Sequence, residues 1–275
     1  MFHFKIKNFA LIPLVFLWCS LAADEGIEKN TEIKAVEEQK SGQSEPFIRV
    51  KYYSADAIQA IPRLKPLANL EPECNKVLFK LENFPKNEEI ILEIKRLASD
   101  NPKAYERKVS FFIEDDGSIL IAGSDQHLQT IICSSHGFLP GERATYRFRT
   151  ADGSINKEIS GIPTPAVVKN KDYEVQLKAE LVSINPTVYQ ISLPTMEDGE
   201  EYELKATSIG QITRAKPKYV KNTPFHYSPV AEGNSKGGDA NLEILRAQGQ
   251  VYKIQLPWGT ALEAYLSGKK IYSSK

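Results

Sequence analysis

The chain is poor in the residues that usually advertise chemistry. Its 275 residues include three cysteines, four histidines, two methionines and two tryptophans. Three cysteines are too few for a disulfide scaffold or a zinc array. Charge of neither sign dominates, because 35 basic residues face 35 acidic ones. That balance leaves no electrostatic footprint for nucleic acid or for an anionic membrane surface, so neither is expected as a partner. There is no His-Glu-x-x-His; Gly233-Asn-Ser-Lys-Gly237 matches Gly-x-Ser-x-Gly, and Ser154–Lys157 and Ser267–Lys270 match Ser-x-x-Lys. The first is followed by strand-like rather than helical sequence and the others have no Lys-Thr-Gly partner, so none completes a hydrolase signature. The one Asn-x-Thr triplet, Asn185-Pro186-Thr187, is blocked as a glycosylation acceptor by its proline. What is present is an ordinary globular composition, 41% apolar, at a length that suits one or two domains of roughly 150 residues.

The N-terminus is the most readable segment. Lys5 and Lys7 precede an apolar run from Phe9 to Leu17, and Ser20-Leu21-Ala22 places small residues at the −3 and −1 positions of a cut before Ala23. This pattern predicts a secretory signal peptide over 1–22. The run is short, contains Pro13 and is followed by a strongly polar stretch, so no transmembrane segment is expected after signal removal. Cys19 follows Trp18 rather than a small residue and leaves with the signal. Removal of Lys5 and Lys7 leaves 33 basic against 35 acidic residues. A signal peptide without sequons predicts a bacterial exported protein, in the periplasm or at the cell surface. Residues 23–46 carry Glu, Lys, Gln, Ser, Gly and Thr and no aromatic, and read as a disordered polar tether.

Beyond Pro46, apolar and polar residues alternate. Tyr173, Val175, Leu177, Ala179 and Leu181 line one face of a strand and charged or polar residues the other; Val77-Phe79-Leu81, Ile90-Leu92-Ile94, Tyr146-Phe148 and Tyr252-Ile254-Leu256 repeat the rule. One-faced strands predict an all-β chain of stacked antiparallel sheets, since covered parallel sheets show continuous apolar runs. Asp116-Gly117, Asp152-Gly153 and Asp198-Gly199 read as hairpin turns. Helix is scarce: Ser54–Ile61 is expected as a short helix, and Thr260-x-x-Glu263 with Gly268 predicts a capped terminal helix over 261–267.

An internal repeat sets the domain organisation. Shifting the chain by 112 residues aligns Phe79 with Ile191, Leu81 with Leu193, Phe84 with Met196 and Leu92 with Leu204; a shift of 96 aligns Ala144, Tyr146 and Phe148 with Ala240, Leu242 and Ile244. Two tandem antiparallel β-sandwiches are predicted, over 47–165 and 166–275, the second with the short terminal helix.

Ser135-His-Gly-Phe-Leu-Pro-Gly-Glu-Arg143, with the following Tyr/Phe strand and Ala151-Asp-Gly-Ser154, resembles the strand-turn-strand signature of bacterial exported immunoglobulin-like and fibronectin-like modules. The resemblance implies immunoglobulin-like sandwiches in which the Pro-Gly turn joins two core strands and Asp-Gly closes the next hairpin. It implies no activity. Thr130-Ile-Ile-Cys133 is similar to a constant-type immunoglobulin B strand, although no second cysteine follows it.

Few residues are candidates for chemistry. Cys74 and Cys133 are the cysteines left after processing, and an even pair in an oxidising compartment is expected to be bonded. His127, His136 and His226 lack metal-site spacing, and Glu114-Asp115-Asp116 lacks the alternation of a calcium loop, so neither a metal nor a cofactor is expected. Gly233–Gly238 lacks the Gly-Lys-Ser/Thr ending of a phosphate loop. Tyr52, Tyr53, Phe225, His226 and Tyr227, together with Trp258, are the aromatic candidates for a binding surface. The expectation is a non-enzymatic envelope or surface module that binds a protein or glycan. A periplasmic structural or chaperone-like protein is the alternative.

Overall fold

A computed structural model describes residues 45–60, 74–125, 127–128, 130–229, 235–270 and 272. The expected signal peptide, nearly all of the tether, Gly233 and the proline expected to end the first helix, Pro62, lie outside the described residues. The chain is all-β: four antiparallel sheets and two short helices among the described residues. Its contacts divide it into two units. One holds the residues up to Lys95, with Ala104–Ser135 and Thr145–Ser160; the other holds Arg96–Lys103, His136–Ala144 and Gly161–Lys275. Two short excursions from the first half of the chain therefore belong to the second unit.

The first unit is built from β1 (Phe47–Tyr53), β2 (Lys76–Glu82), β3 (Glu89–Arg96), β4 (Glu106–Ile113), β5 (Ile119–Ile121), β6 (His127–Leu128), β7 (Ile131–Ser134), β8 (Ala144–Thr150) and β9 (Asn156–Gly161). They form sheets ordered β1-β2-β7 and β6-β5-β4-β3-β8-β9. The two sheets stack through aromatics: the Phe79 ring on β2 lies 4.8 Å from Tyr146 and 5.2 Å from Phe148 on β8, within the range at which tilted rings attract. Helix α1 (Ala55–Ala60) follows Ser54, whose Oγ accepts from the Ala57 amide at 3.2 Å, a serine N-cap.

The second unit holds β10 (Ala166–Lys169), β11 (Val175–Ile184), β12 (Thr187–Ser192), β13 (Tyr202–Ser208), β14 (Gln211–Ala215), β15 (Phe225–Tyr227), β16 (Gly237–Arg246), β17 (Val251–Gly259) and α2 (Leu262–Leu266). Its sheets run β10-β11-β12-β15 and β14-β13-β16-β17. Leu177, Ala179, Tyr189 and Ile191 of one sheet meet Ala206, Leu242, Ile244, Ile254 and Leu256 of the other in a single core. The Tyr189 hydroxyl donates across it to the Pro257 carbonyl at 2.7 Å, which satisfies a fully buried phenol.

Both units share one connectivity. Strands β1, β2 and β7 form one sheet and β4, β3, β8 and β9 the continuous part of the other; β11, β12 and β15 pair as the former do, and β14, β13, β16 and β17 as the latter do. Lettered A, B, C, C′, E, F, G, both sets give sheets A-B-E and C′-C-F-G, an immunoglobulin-like Greek key. Strands β5 and β6 extend the first unit and β10 extends the second. Of the residue pairs aligned by the two sequence shifts, Phe79/Ile191, Leu92/Leu204, Ala144/Ala240, Tyr146/Leu242 and Phe148/Ile244 fall on strands of the same letter, β2 with β12, β3 with β13 and β8 with β16, whereas Leu193, Phe84 and Met196 lie just past the ends of β12 and β2.

Several local expectations are corrected. Strand β7, which contains Cys133, takes the E place and not the B place. Asp198-Gly199 joins strands of different sheets, β12 and β13, so it is no hairpin; the Gly199 amide donates to the Tyr219 carbonyl at 2.9 Å. Tyr173 is outside the strand it was expected to start: its φ is 63° and it is 78% exposed, because Asn170 Oδ1 accepts from the amides of Asp172 and Glu174 and curls the chain. The terminal helix is present, but no side-chain cap bond forms at Ala261. Its stop is as expected, with Gly268 at φ 69°. Strand β16 starts at Gly237, so Gly237 and Gly238 are strand residues and not part of the loop before it.

Candidate functional site

The candidates named from sequence fall on three strands, β1 in the first unit and β15 and β17 in the second. Tyr52 and Tyr53 end β1, where successive side chains point to opposite faces, so they do not share a surface. Phe225 and Tyr227 on β15 pack against the core of the second unit, and His226 between them is exposed. Burial pushes the Tyr227 phenol up to about 12, as expected for a packing residue. Trp258 is buried in β17, and its indole N–H has no partner among the described residues. No set of three His, Cys, Asp or Glu side chains converges as a metal would require, among the described residues.

The expected disulfide is not formed. Cys74 and Cys133 are both buried, with no bond between them. Register gives the reason: Cys133 pairs with Val77, three residues along the chain from Cys74. Cys74 lies before the start of β2 at Lys76, so the residue the ladder sets opposite Cys133 is Val77 and not Cys74. Burial pushes the Cys133 thiol up to about 12, against a weak opposing pull from Lys108. The group is protonated at neutral pH and unsuited to nucleophilic work.

Perturbed carboxylates have structural partners. On the outer face of the first unit, Glu93 of β3 lies under Arg147 and Arg149 of β8, at 2.6 and 3.1 Å. Burial alone would raise its carboxyl; hydrogen bonds and charge from the two arginines outweigh that and hold it below the ordinary range. Arg147 also stacks on the Tyr105 ring at 3.7 Å, with the Lys95 ammonium 4.8 Å from the same ring. Burial first, and Glu158 second, push that phenol up to about 12. In the second unit, Arg246 grips Glu200 at 2.6 Å and lowers its carboxyl. His127 Nδ1 lies 2.6 Å from Glu114 Oε2.

Among the described residues, the outer face and outer edge of β14-β13-β16-β17 carry a concentration of exposed side chains. Register places Ile212, Thr207, Asn241 and Gln255 in one row across it, and Arg214, Lys205, Glu243 and Lys253 in the next. Glu243 bridges Lys205 at 3.6 Å and Lys253 at 3.3 Å. Five of the eight exposed large apolar side chains belong to this sheet or its flanks: Ile209, Ile212, Val220, Leu245 and Val251. Singly exposed apolar residues are ordinary, whereas a concentration on one flat face suits an interface.

The edge of that sheet is longer than β14. After Ala215 the chain continues alongside β13: Tyr202 N–H donates to the Pro217 carbonyl at 3.3 Å, Lys218 bridges Glu201, and Tyr219 N–H donates to the Glu200 carbonyl at 2.8 Å. Along Gln211–Tyr219, Ile212, Arg214, Lys216 and Lys218 are all exposed and, at alternate positions, share one face. Residues 208–223 hold four basic side chains and no acidic one. Sequence reading missed this strand because neither of its faces is continuously apolar. The available signal was the basic alternation Arg214, Lys216, Lys218 around Pro217, a residue confined in sheets to edges and bulges.

A scan against protein-family models finds no match, and no curated protein matches the chain.

Proposed function

We propose that this is a bacterial exported protein that acts by binding, with no catalytic step of its own, through the outer face and edge of β14-β13-β16-β17. The observation that carries the reading is the presence of Ile212, Leu245 and Val251 with Arg214, Lys205 and Lys253 on the outer face of that sheet, with Ile209 and Val220 exposed at its flanks. An apolar patch interleaved with charge suits a protein or glycan surface. The strongly perturbed groups support binding over catalysis. Glu93 and Glu200 are locked by arginines, and Cys133 is buried and protonated.

The two units are further proposed to be tandem copies of one module, supported by their common A-B-E and C′-C-F-G connectivity. Export is supported by the basic-apolar-small pattern of residues 1–22. No helix among the described residues is long and apolar enough to cross a membrane.

Protease shaving of intact cells, with a periplasmic protein as control, tests the placement. Loss of this chain with the control spared supports an outward-facing binding module. Protection until the outer membrane is opened supports the periplasmic structural or chaperone-like alternative. A full-length chain with its first 22 residues retained in the cytoplasm contradicts both.

A further inference from the structure

We infer that the open edge at Gln211–Lys218 is a strand acceptor for the chain's own acidic N-terminal segment, residues 24–44. An edge strand offers a row of backbone N–H and C=O groups to an added strand. Here that row is flanked by Ile212, Arg214, Lys216 and Lys218, exposed on one face and spaced at about 7 Å along the strand. Lysines on an edge disfavour pairing with an identical edge, because like charges would lie opposite one another. The same charges favour an extended acidic partner.

Residues 24–44 have that chemistry. They carry Asp24, Glu25, Glu28, Glu32, Glu37 and Glu38 against Lys29, Lys34 and Lys40, a net charge of −3. Ile33 and Ala35, which share one face of an extended segment, supply apolar side chains at the centre for Ile212, which is 58% exposed. The stretch has no proline that would remove a ladder donor. Twenty-one residues span up to about 70 Å when extended. Attached to its own copy, the segment acts at high effective concentration; reaching from a second copy, it acts at the concentration of the protein itself. The inference concerns the purified chain and does not depend on where that chain resides in the cell, so its failure is separable from a failure of the proposed localisation.

Hydrogen–deuterium exchange on the chain of residues 23–275 provides the test. Four proteins are compared: the parent; Glu28→Lys with Glu32→Lys, Glu37→Lys and Glu38→Lys; Arg214→Glu with Lys216→Glu and Lys218→Glu; and the two sets combined. The substituted edge residues are exposed, and thermal melts confirm that each variant stays folded. The expected result is that amides over 211–218 exchange about tenfold or more slowly in the parent than in either charge-reversed set, and that the combined protein regains protection. Protection that rises with protein concentration assigns the segment to a second copy; protection independent of concentration assigns it to the same copy. Equal exchange in the parent and the Glu→Lys set overturns the inference. So does a combined protein that remains as unprotected as the single sets.

Discussion

The Arg96 guanidinium donates to the Glu142 carboxylate at 2.6 Å, with the two side chains 4% and 0% exposed. The pair is fully furnished. Glu142 also accepts from the amides of Ala98 at 2.8 Å and Leu139 at 3.0 Å, and Arg96 also donates to the Gly137 carbonyl at 2.7 Å and stacks over Phe138 at 4.1 Å. The Gly-Phe-Leu-Pro-Gly-Glu stretch singled out in the sequence is thus the housing of one buried ion pair. Its second glycine is required by space: Gly141 has φ 76°, and a Cβ there would stand 2.6 Å from the Ala179 carbonyl oxygen.

Glu142→Ala leaves a buried guanidinium without its counter-charge and is expected to cost about 3–5 kcal/mol, read as a loss of several degrees in melting temperature. The double replacement Arg96→Met with Glu142→Leu removes both charges and is expected to be milder than the single change. A single variant as stable as the parent would contradict the role given to the pair.

Acid should destabilise the protein in a defined window. Glu93, Glu180 and Glu200 are all held below the ordinary carboxylate range by arginine partners; burial pulls the opposite way in all three, as the largest single effect on the first two, and is outweighed. A depressed folded value means that the stabilisation is complete above the unfolded value of about 4.3 and is lost as pH falls through the folded values. Melting temperature is expected to be flat from pH 7 to about 5 and to drop below about 4.5. Glu93→Gln with Glu200→Gln should be less stable at neutral pH and show a shallower acid decline. A melting temperature unchanged down to about pH 3 would contradict this.

Thiol chemistry separates the observed arrangement from the expected disulfide. Cys74 and Cys133 are buried and unbridged, so the folded chain of residues 23–275 should resist alkylation, and denaturant without reductant should expose two alkylatable thiols. A mass showing no added alkyl group under those conditions would reinstate the bond.

Which parts of the fold were legible follows from what each residue faces. Tyr146 and Phe148, or Leu242 and Ile244, are fully buried on one side of strands whose other side is polar, and such one-faced strands can be read from alternation alone. The short helix expected over 54–61 is present over Ala55–Ala60, with Ser54 as its N-cap rather than its first residue. Strand β14 was not legible, since an exposed edge imposes no apolar period. The Asp198-Gly199 dipeptide announced a turn but not which sheets it joins, because that depends on pairings made far along the chain. The cysteine pair failed similarly: two cysteines suggest a bond, but only the register of β2 against β7 shows that Cys133 lies opposite Val77. Of the candidate site, the aromatics of β1 and β15 were visible in the sequence, yet period-two geometry sends Tyr52 and Tyr53, and Phe225 and His226, to opposite faces.

The most direct test of the binding surface is site-specific photo-crosslinking in living cells. A photoreactive residue is placed in turn at Leu245 and Val251, on the proposed face, and at Tyr173 and Val182, which are also exposed but lie on β11 or its approach. The account predicts discrete adducts with an envelope component from Leu245 and Val251 and none from Tyr173 and Val182. Adducts of equal yield from all four positions, or from Tyr173 and Val182 alone, would contradict it.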